Sequence, residues 1–325
     1  MARAFKNQII IDAVRRFQHL PTRTIARHVL NTHGELWEND LEKVRDSVRY
    51  YRGQHGDFNR EQASTKDFFC DSISMPQTWR KIRTPHKLHE GTWLVLSDIH
   101  IPFHEPKIVE TAIDAGMVEK VNGVLLNGDV QDCSSISYWR SLKRDFNKEI
   151  ELSIDFLDYL RIKFPKCTIV YKPGNHELRL PSYYMNHAPE LADTPLACME
   201  TILGFEERGI EFLDYYQKVM AGKLPIFHGH EFRNITMAVN AARGLFLKTH
   251  SFAAISHCHT TSMHPGTNVN REALTTWSFG CLCDLSPDYN PFGNQWNWGF
   301  AIIEIEKNGD FFVNNRRILP SGDVV

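Results

Sequence analysis

The feature that most constrains the fold of this chain is a repeated pattern in which Asp, Asn or His follows a short apolar segment within three residues. The pattern occurs five times between residues 92 and 259. Short apolar segments separated by helical patterns predict β-strands of an α/β sheet. The carboxyl ends of such strands normally present ligand-binding groups, so five of them predict a single site. The segments and the residues that follow them are TWLVLS with Asp98 and His100, GVLLN with Asp129 and Asp132, TIVYK with Asn175 and His176, LPIF with His228, and FAAIS with His257 and His259.

The wider pattern from residue 91 to residue 325 predicts a single α/β domain with two sheets. Helical patterns over residues 108–118 and 149–164 alternate with the first three strands, and residues 183–203 are mostly helical. The C-terminal part is rich in strands, with the segments ALTTWSF, GFAIIEIE and FFVNN. Alternating strands and helices followed by a run of strands favour layers of sheet and helix. We therefore expect a four-layer α/β sandwich, with two sheets flanked by helices.

Residues 1–53 are predicted to form a small helical domain of three helices, and residues 54–90 a polar linker. Over residues 1–60 there are eleven Lys and Arg against seven Asp and Glu, whereas the whole chain has a formal net charge of −2. Three short helices with a basic third helix are typical of a helix-turn-helix, which binds DNA through its last helix. A helical packing or oligomerisation module with a solvated basic face explains the same pattern equally well.

Composition excludes several classes of protein. No apolar run reaches the roughly 18 residues that a membrane span needs, and the N-terminus does not resemble a signal peptide. The seven cysteines are scattered without CxxC spacing, which favours reduced thiols in the cytoplasm. With a pI of about 6.8, any polyanion site has to be local.

The five blocks resemble, in order, those of the calcineurin-like metallophosphoesterase family: DxH, GDxx(D/N), GNH(D/E), a lone His and GHxH. They span residues 98–259, about half of the chain. One departure is Ser256, which stands where the last block usually has Gly and puts the local turn in question. The resemblance implies a two-metal phosphoesterase. It implies that Asp98, His100 and His259 hold one metal ion, that Asn175, His228 and His257 hold the other, and that Asp129 bridges them.

These mixed oxygen and nitrogen donors suit transition metals, because the number of His residues argues against Mg²⁺ or Ca²⁺ alone. Manganese is expected first, with iron, zinc, cobalt or nickel as alternatives. Two such ions, roughly 3.5–4 Å apart, activate a hydroxide that attacks phosphorus directly. Accordingly, no GxSxG or Cys-His signature of a covalent nucleophile is present.

The resemblance also implies roles around the metals. His176 corresponds to the family's proton donor and Asp132 to the carboxylate that orients it, although orientation of metal ligands is an alternative for both. Arg179 is a candidate phosphate contact, with a structural ion pair as the alternative. His228 is preferred over His230 as the ligand, because the family uses the first His after the strand.

The substrate is less constrained, because one fold serves many phosphate esters. Gln131-Asp132-Cys133 lacks the Arg that usually follows this Asp in phosphoprotein phosphatases, which favours a phosphodiester or a nucleic acid such as DNA. The predicted activity is therefore that of a phosphodiesterase or nuclease. The alternatives are a phosphomonoesterase acting on protein or nucleotide, and a DNA-binding protein with a retained metal-domain scaffold. The predicted partner is a phosphate-ester substrate. No association with a membrane is expected, and the oligomeric state stays open.

Overall fold

The computed structural model describes residues 2–54, 78, 82–138, 145–235, 239–287 and 292–325. The chain divides into two compact units, Met1–Lys81 and Ile82–Val325. Most of the segment predicted as a linker, residues 55–77 and 79–81, lies outside the described residues. Residues 86–88, which also belong to that predicted segment, form a strand of the second unit.

The described residues of the first unit form three α-helices, α1 (Ala2–Arg16), α2 (Thr22–His33) and α3 (Leu41–Arg49). They enclose a small apolar core of their own. Asp40 caps α3, because its side chain accepts hydrogen bonds from the backbone N–H groups of Glu42 and Lys43. The buried members of this core are Ile10, Ala13, Val14, Ile25, Ala26, Val29, Trp37, Val44, Val48 and Tyr51.

Charged side chains of this unit pair locally. On α3, Arg45 lies 3.1 Å from Glu42 and Arg49 lies 2.9 Å from Asp46, both at helical spacing. Arg52 donates a 2.7 Å hydrogen bond to the carbonyl of Leu20, which ties the segment after α3 to the turn before α2. The basic excess of the third helix is therefore partly neutralised within that helix, and Arg52 has a structural contact.

The second unit contains two mixed six-stranded sheets, which confirms the predicted two-sheet α/β sandwich. In the first sheet the strand order is β1-β6-β7-β8-β10-β9, and in the second it is β12-β11-β2-β3-β4-β5. The strands are β1 His86–Leu88, β2 Gly91–Leu96, β3 Gly123–Asn127, β4 Thr168–Lys172, β5 Ile210–Phe212, β6 Val219–Ala221, β7 Leu224–Ile226, β8 Ala253–Ile255, β9 Ser262–Thr267, β10 Ala273–Ser278, β11 Gly299–Ile305 and β12 Phe311–Arg317.

Buried apolar side chains fill the space between the sheets and cover their outer faces. Trp93, Leu125 and Val170 of the second sheet pack with Ile226 and Trp277 of the first. Helices α4 (Pro106–Val118) and α5 (Phe146–Lys163) cover the outer face of the second sheet, and α8 (Ala241–Thr249) covers that of the first. The alternation of faces along each strand produces these layers.

All eight predicted strand segments are present, but the predicted helix over residues 183–203 is interrupted. Helix α6 (Arg179–His187) ends before Pro189, and α7 (Met199–Ile202) begins after Pro195. Proline lacks the backbone N–H and clashes with the preceding turn, so each one breaks the α-helical pattern. Within the described part of the chain, no helix has the length and apolar character needed to cross a membrane.

Candidate metal centre

The five predicted strand ends converge at one edge of the sandwich. Strands β2, β3 and β4 run parallel in one sheet, and β7 and β8 run parallel in the other. Their loops are joined by hydrogen bonds between the sheets: the backbone N–H of His257 donates to Asp98 Oδ2 at 3.0 Å, and His228 Nδ1 donates to the carbonyl of Asn127 at 2.8 Å. The loops that follow the five strands therefore lie together at one edge of the sandwich, as the sequence predicts.

The backbone at this edge is strained. Positive φ angles occur at Asp98 (51°), His100 (53°), Asp129 (52°), His257 (64°) and His259 (53°). A residue with a side chain rarely adopts this left-handed conformation, and holding it costs on the order of 1–3 kcal/mol. Such strain typically occurs where a function requires a particular side-chain direction.

The side chains predicted for the first metal lie within contact distance of one another. His259 Nε2 is 3.1 Å from Asp98 Oδ1 and 3.2 Å from His100 Nε2. Potential ligand atoms of Asp98, His100 and Asp129 all lie within 4.8 Å of one another, and these three residues are buried.

The second predicted group is arranged in the same way. His228 Nε2 lies 3.1 Å from Asp129 Oδ2, and potential ligand atoms of Asp129, His228 and His257 lie within 4.8 Å of one another. Asp129 therefore belongs to both groups, as a bridging ligand would. Since Nδ1 of His228 donates to the Asn127 carbonyl, Nε2 is the ring nitrogen that faces Asp129 and that would bind a metal ion in place of a proton.

Several buried polar atoms at this edge have no hydrogen-bond partner. Among the described residues they include Asp98 Oδ1, Asn175 Oδ1 and His228 Nε2. Asp98 Oδ1 and His228 Nε2 each face an oppositely charged group at 3.1 Å outside hydrogen-bond geometry, and Asn175 Oδ1 has no hydrogen bond. A buried polar atom without a hydrogen bond costs about 1–3 kcal/mol. Metal ions bound by these atoms would remove that cost, and the mixed oxygen and nitrogen donors suit a transition metal. The residues present therefore fit the two-metal site that the motifs imply.

Charge coupling points to the same conclusion. Burial alone would raise the pKa of Asp129, but the neighbouring His228 and His176 lower it well below its usual value. Burial alone would lower the pKa of His228 and of His259, but the nearby Asp129 and Asp98 carboxylates raise each to about 9. The carboxylates thus retain protons on the imidazoles, and a metal that binds there has to displace these protons.

Glu177 is a functional residue whose role the sequence analysis missed. The motif gives it only as an alternative to Asp, yet its fully buried carboxylate accepts five hydrogen bonds. The donors are the backbone N–H groups of Asp129 (3.1 Å), Val130 (2.8 Å), Gln131 (3.2 Å) and Gly174 (2.8 Å), and the hydroxyl of Tyr171 (2.8 Å). One carboxylate therefore fastens the Asp129 loop to the loop that carries Asn175.

His176, Asp132 and Arg179 form a second cluster beside the first metal group. Asp132 Oδ1 lies 3.0 Å from His176 Nδ1 and 2.9 Å from Nδ1 of the predicted ligand His100. Arg179 Nη1 donates to the Asp132 carbonyl at 2.6 Å, and Nη2 lies 3.2 Å from His176 Nε2. Burial lowers the pKa of His176, but the Asp129 and Asp132 charges raise it overall. Asp132 therefore contacts two imidazoles. One is that of His176, the predicted proton donor, and the other is that of His100, a predicted metal ligand.

Three further residues lie close to these groups. The ring centroid of His230 is 5.4 Å from that of His228, and both ring nitrogens lack hydrogen-bond partners. Ser256 is not among the residues with positive φ, and its hydroxyl accepts a 2.9 Å hydrogen bond from Asn127 Nδ2, so glycine is not needed there. Cys283 Sγ lies 3.9 Å from His259 Nδ1, a contact that the distant position of Cys283 in the sequence did not predict.

Comparison with known proteins finds distant similarity. No family model matches this chain. The Gene 54 protein of Mycobacterium phage L5 is 25% identical over 227 residues, which cover 66% of this chain and 88% of that protein. Among solved structures, Vps29 from Chaetomium thermophilum is 12% identical with a TM-score of 0.39, over 72% of this chain and 94% of that chain. Yfce, a phosphoesterase from E. coli, is 11% identical with a TM-score of 0.34, over 72% and 96%. A dimetal phosphatase from Danio rerio is 11% identical with a TM-score of 0.34, over 70% and 95%.

The chain's own features lead to the fold. The ordered blocks, the two mixed sheets and the convergence of their strand ends on potential metal ligands occur together in the second unit. Each follows from the residues of this chain rather than from the distant relatives. The second unit is an α/β sandwich whose strand ends carry motif blocks that resemble those of the calcineurin-like metallophosphoesterases.

Proposed function

We propose that this chain is a dinuclear metal-dependent phosphoesterase. The observation that carries the proposal is the convergence of buried ligand atoms of Asp98, His100, His228 and His257 in two groups that share Asp129, at one edge of the sandwich. A scaffold retained only for DNA binding would gain stability by losing such atoms, so their presence argues against the scaffold alternative.

The first metal ion would be held by Asp98, His100 and His259, the second by Asn175, His228 and His257, with Asp129 shared. Manganese is the proposed ion, with iron, zinc, cobalt or nickel as alternatives. When bound, two such ions bring the pKa of a coordinated water near neutrality and offset the negative charge of a phosphate ester. The buried carboxylates of Asp98 and Asp129 supply the charge that holds two cations in this edge.

His176 is proposed to donate a proton to the leaving-group oxygen, and Asp132 to hold the imidazole in position. In the arrangement shown, Arg179 Nη2 lies 3.2 Å from His176 Nε2 and would donate to the neutral ring. Donation of a proton from Nε2 therefore requires that Arg179 turn away, and a phosphate oxygen of the substrate is a suitable acceptor for its guanidinium.

For the substrate we propose a phosphodiester, with a nucleic acid as the leading example. Two features support this: the absence of Arg after Asp132, and the basic excess of the N-terminal helices. A phosphomonoester of protein or nucleotide is the alternative. A cytoplasmic location is proposed on the scattered free cysteines.

The test is an activity panel with purified protein and Mn²⁺. The substrates are an aryl phosphomonoester, a bis-aryl phosphodiester, single-stranded DNA and duplex DNA. We expect hydrolysis that depends on Mn²⁺ and is abolished by a chelator, with the diester and DNA preferred over the monoester. Activity that survives thorough chelation, or no hydrolysis of any of the four, would contradict the proposal.

A further inference from the structure

Lys172, the last residue of β4, is unusual because its side chain is fully buried, with 0% of it exposed. Lysine is almost never fully buried unless it is paired, since removing an ammonium group from water is costly. Its side chain lies on the same strand face as Val170, the face directed at the other sheet. The sequence analysis assigned Lys172 to a strand and predicted no role for it.

The partner of Lys172 is Glu231, which follows β7 in the opposite sheet. Lys172 Nζ donates to Glu231 Oε1 at 2.8 Å, and Glu231 Oε2 accepts from the backbone N–H of Gly229 at 2.7 Å. Burial alone would raise the pKa of Glu231, but the Lys172 ammonium and neighbouring donors lower it to about 2. The pair is therefore a largely buried ion pair, with Lys172 fully buried and Glu231 18% exposed, that bridges the two sheets and extends to the backbone beside His228.

The position of this bridge relates it to one metal group in particular. Lys172 stands three residues before Asn175, and Glu231 stands three residues after His228. Asn175 and His228 come from different sheets, and both are proposed ligands of the second ion. The proposed ligands of the first metal ion, Asp98, His100 and His259, follow other strands. Asp98 accepts a hydrogen bond from the backbone of His257, and His100 contacts Asp132, so neither depends directly on the Lys172–Glu231 pair.

We propose that the Lys172–Glu231 pair is a positioning device for the second metal ion, because it fixes the separation of the two loops that carry Asn175 and His228. The inference rests on the proposed two-metal function. Groups outside the ligand sphere that orient ligands commonly change metal affinity by about 10–100-fold, and we expect an effect of that size on the second ion alone.

The experiment measures metal binding by Glu231→Gln, which keeps the shape of the side chain and removes its charge. Mn²⁺ is titrated into chelator-treated protein, with stoichiometry from metal analysis and the spin-coupled pair followed by electron paramagnetic resonance. We expect two ions in the unaltered protein. In Glu231→Gln we expect the first ion to bind unchanged, the second to bind about 10–100-fold more weakly, and the single-ion signal to replace the coupled one at limiting Mn²⁺.

Two further variants separate positioning from general stability. Exchange of the charges, Lys172→Glu with Glu231→Lys, should restore part of the second-ion affinity. Lys223→Met removes a pair of the same kind that is exposed, Lys223–Asp310 at 2.7 Å, and should leave both ions unchanged. Circular dichroism confirms that each variant is folded.

The outcomes are distinguishable. If the unaltered protein binds two ions and folded Glu231→Gln binds both with unchanged affinity, the positioning role is overturned while the proposed function stands. Equal weakening of both ions also overturns it, because a general loss of packing would act on both groups. If the unaltered protein does not bind two ions, the proposed function itself fails, and the inference fails with it.

Discussion

The two units of this chain treat their polar side chains in opposite ways. In the helical unit, Arg45 and Arg49 pair with acidic residues one helical turn away, and Asp40 caps the helix on which they lie. In the sheet unit, Asp98 and His228 are buried and face His259 and Asp129, which are distant in sequence, at 3.1 Å. Exposed local pairs contribute little to stability, whereas burying several charged groups together costs stability. The potential metal ligands found among the described residues lie in the sheet unit.

The largest effect that would test this comparison is expected for Asp129→Asn. The carboxylate belongs to both metal groups and carries charge that offsets two cations, so its neutralisation should abolish turnover. The fold should survive, because asparagine has nearly the same shape. Steady-state hydrolysis with Mn²⁺ and circular dichroism measure the two effects. Near-normal turnover in a folded variant would exclude the two-metal assignment.

A smaller effect is expected for His176→Gln. Loss of a general acid typically lowers kcat by about 10²–10⁴-fold, while the metal content should stay near two ions per chain. Kinetic assays are therefore paired with metal analysis on the same sample. Loss of an ion from this variant would make His176 a ligand and would remove the proton-donor role.

The next effect concerns the stability of the sheet unit at acidic pH, to which the ion pair of Glu231 contributes. Its folded-state pKa of about 2 lies below its usual value of 4.5, so the stability that it contributes is present above pH 4.5 and is lost as the pH falls toward 2. The shift corresponds to about 3 kcal/mol. Urea unfolding of metal-free protein across this range should therefore show a steeper loss in the unaltered chain than in Glu231→Gln. Parallel pH curves would show that Glu231 is not paired as the structure shows.

The smallest effect is expected in the helical unit. A binding function of that unit would contradict the contrast between a unit with only local pairs and a unit with a functional site. Removal of residues 1–53 should leave hydrolysis of a small phosphodiester intact, because every proposed ligand lies in the other unit. If the helices bind DNA, the deletion should weaken binding and lower the slope of log K against log salt by about 0.9 for each phosphate that the protein no longer neutralises. Equal salt slopes would leave the unit as a packing or oligomerisation module.

The side-chain contacts of the helical unit decide which substitutions suit this test. Arg45→Gln with Arg49→Gln examines the third helix and should lower the slope by up to about two such steps. Arg52 is left unchanged, because its hydrogen bond to the Leu20 carbonyl makes its replacement a test of folding. Arg23→Gln with Arg27→Gln on the exposed face of α2 is the matched control.

Much of the architecture could be predicted from periodicity, because strands such as β2 and β3 contain continuous apolar runs that polar or glycine residues follow. The short strands β1, β5, β6 and β9 were not predicted. Each has three to six residues, and β9, with its Pro265 and Gly266, lacks a continuous apolar run, so its pairing depends on neighbouring strands. Residues 183–203, predicted to be mostly helical, form short α- and 3₁₀-helical segments, because Pro189 and Pro195 interrupt the α-helical pattern.

By itself the sequence determined which residue types stand at which strand ends, because motif order and strand period are local properties of the chain. The tertiary structure alone decided which of these residues share a neighbour. Glu177 reaches backbone groups up to 48 residues away, and Lys172 meets Glu231 across 59 residues and two sheets. Such contacts depend on how two layers pack, and alternation along a strand indicates only which face a side chain occupies.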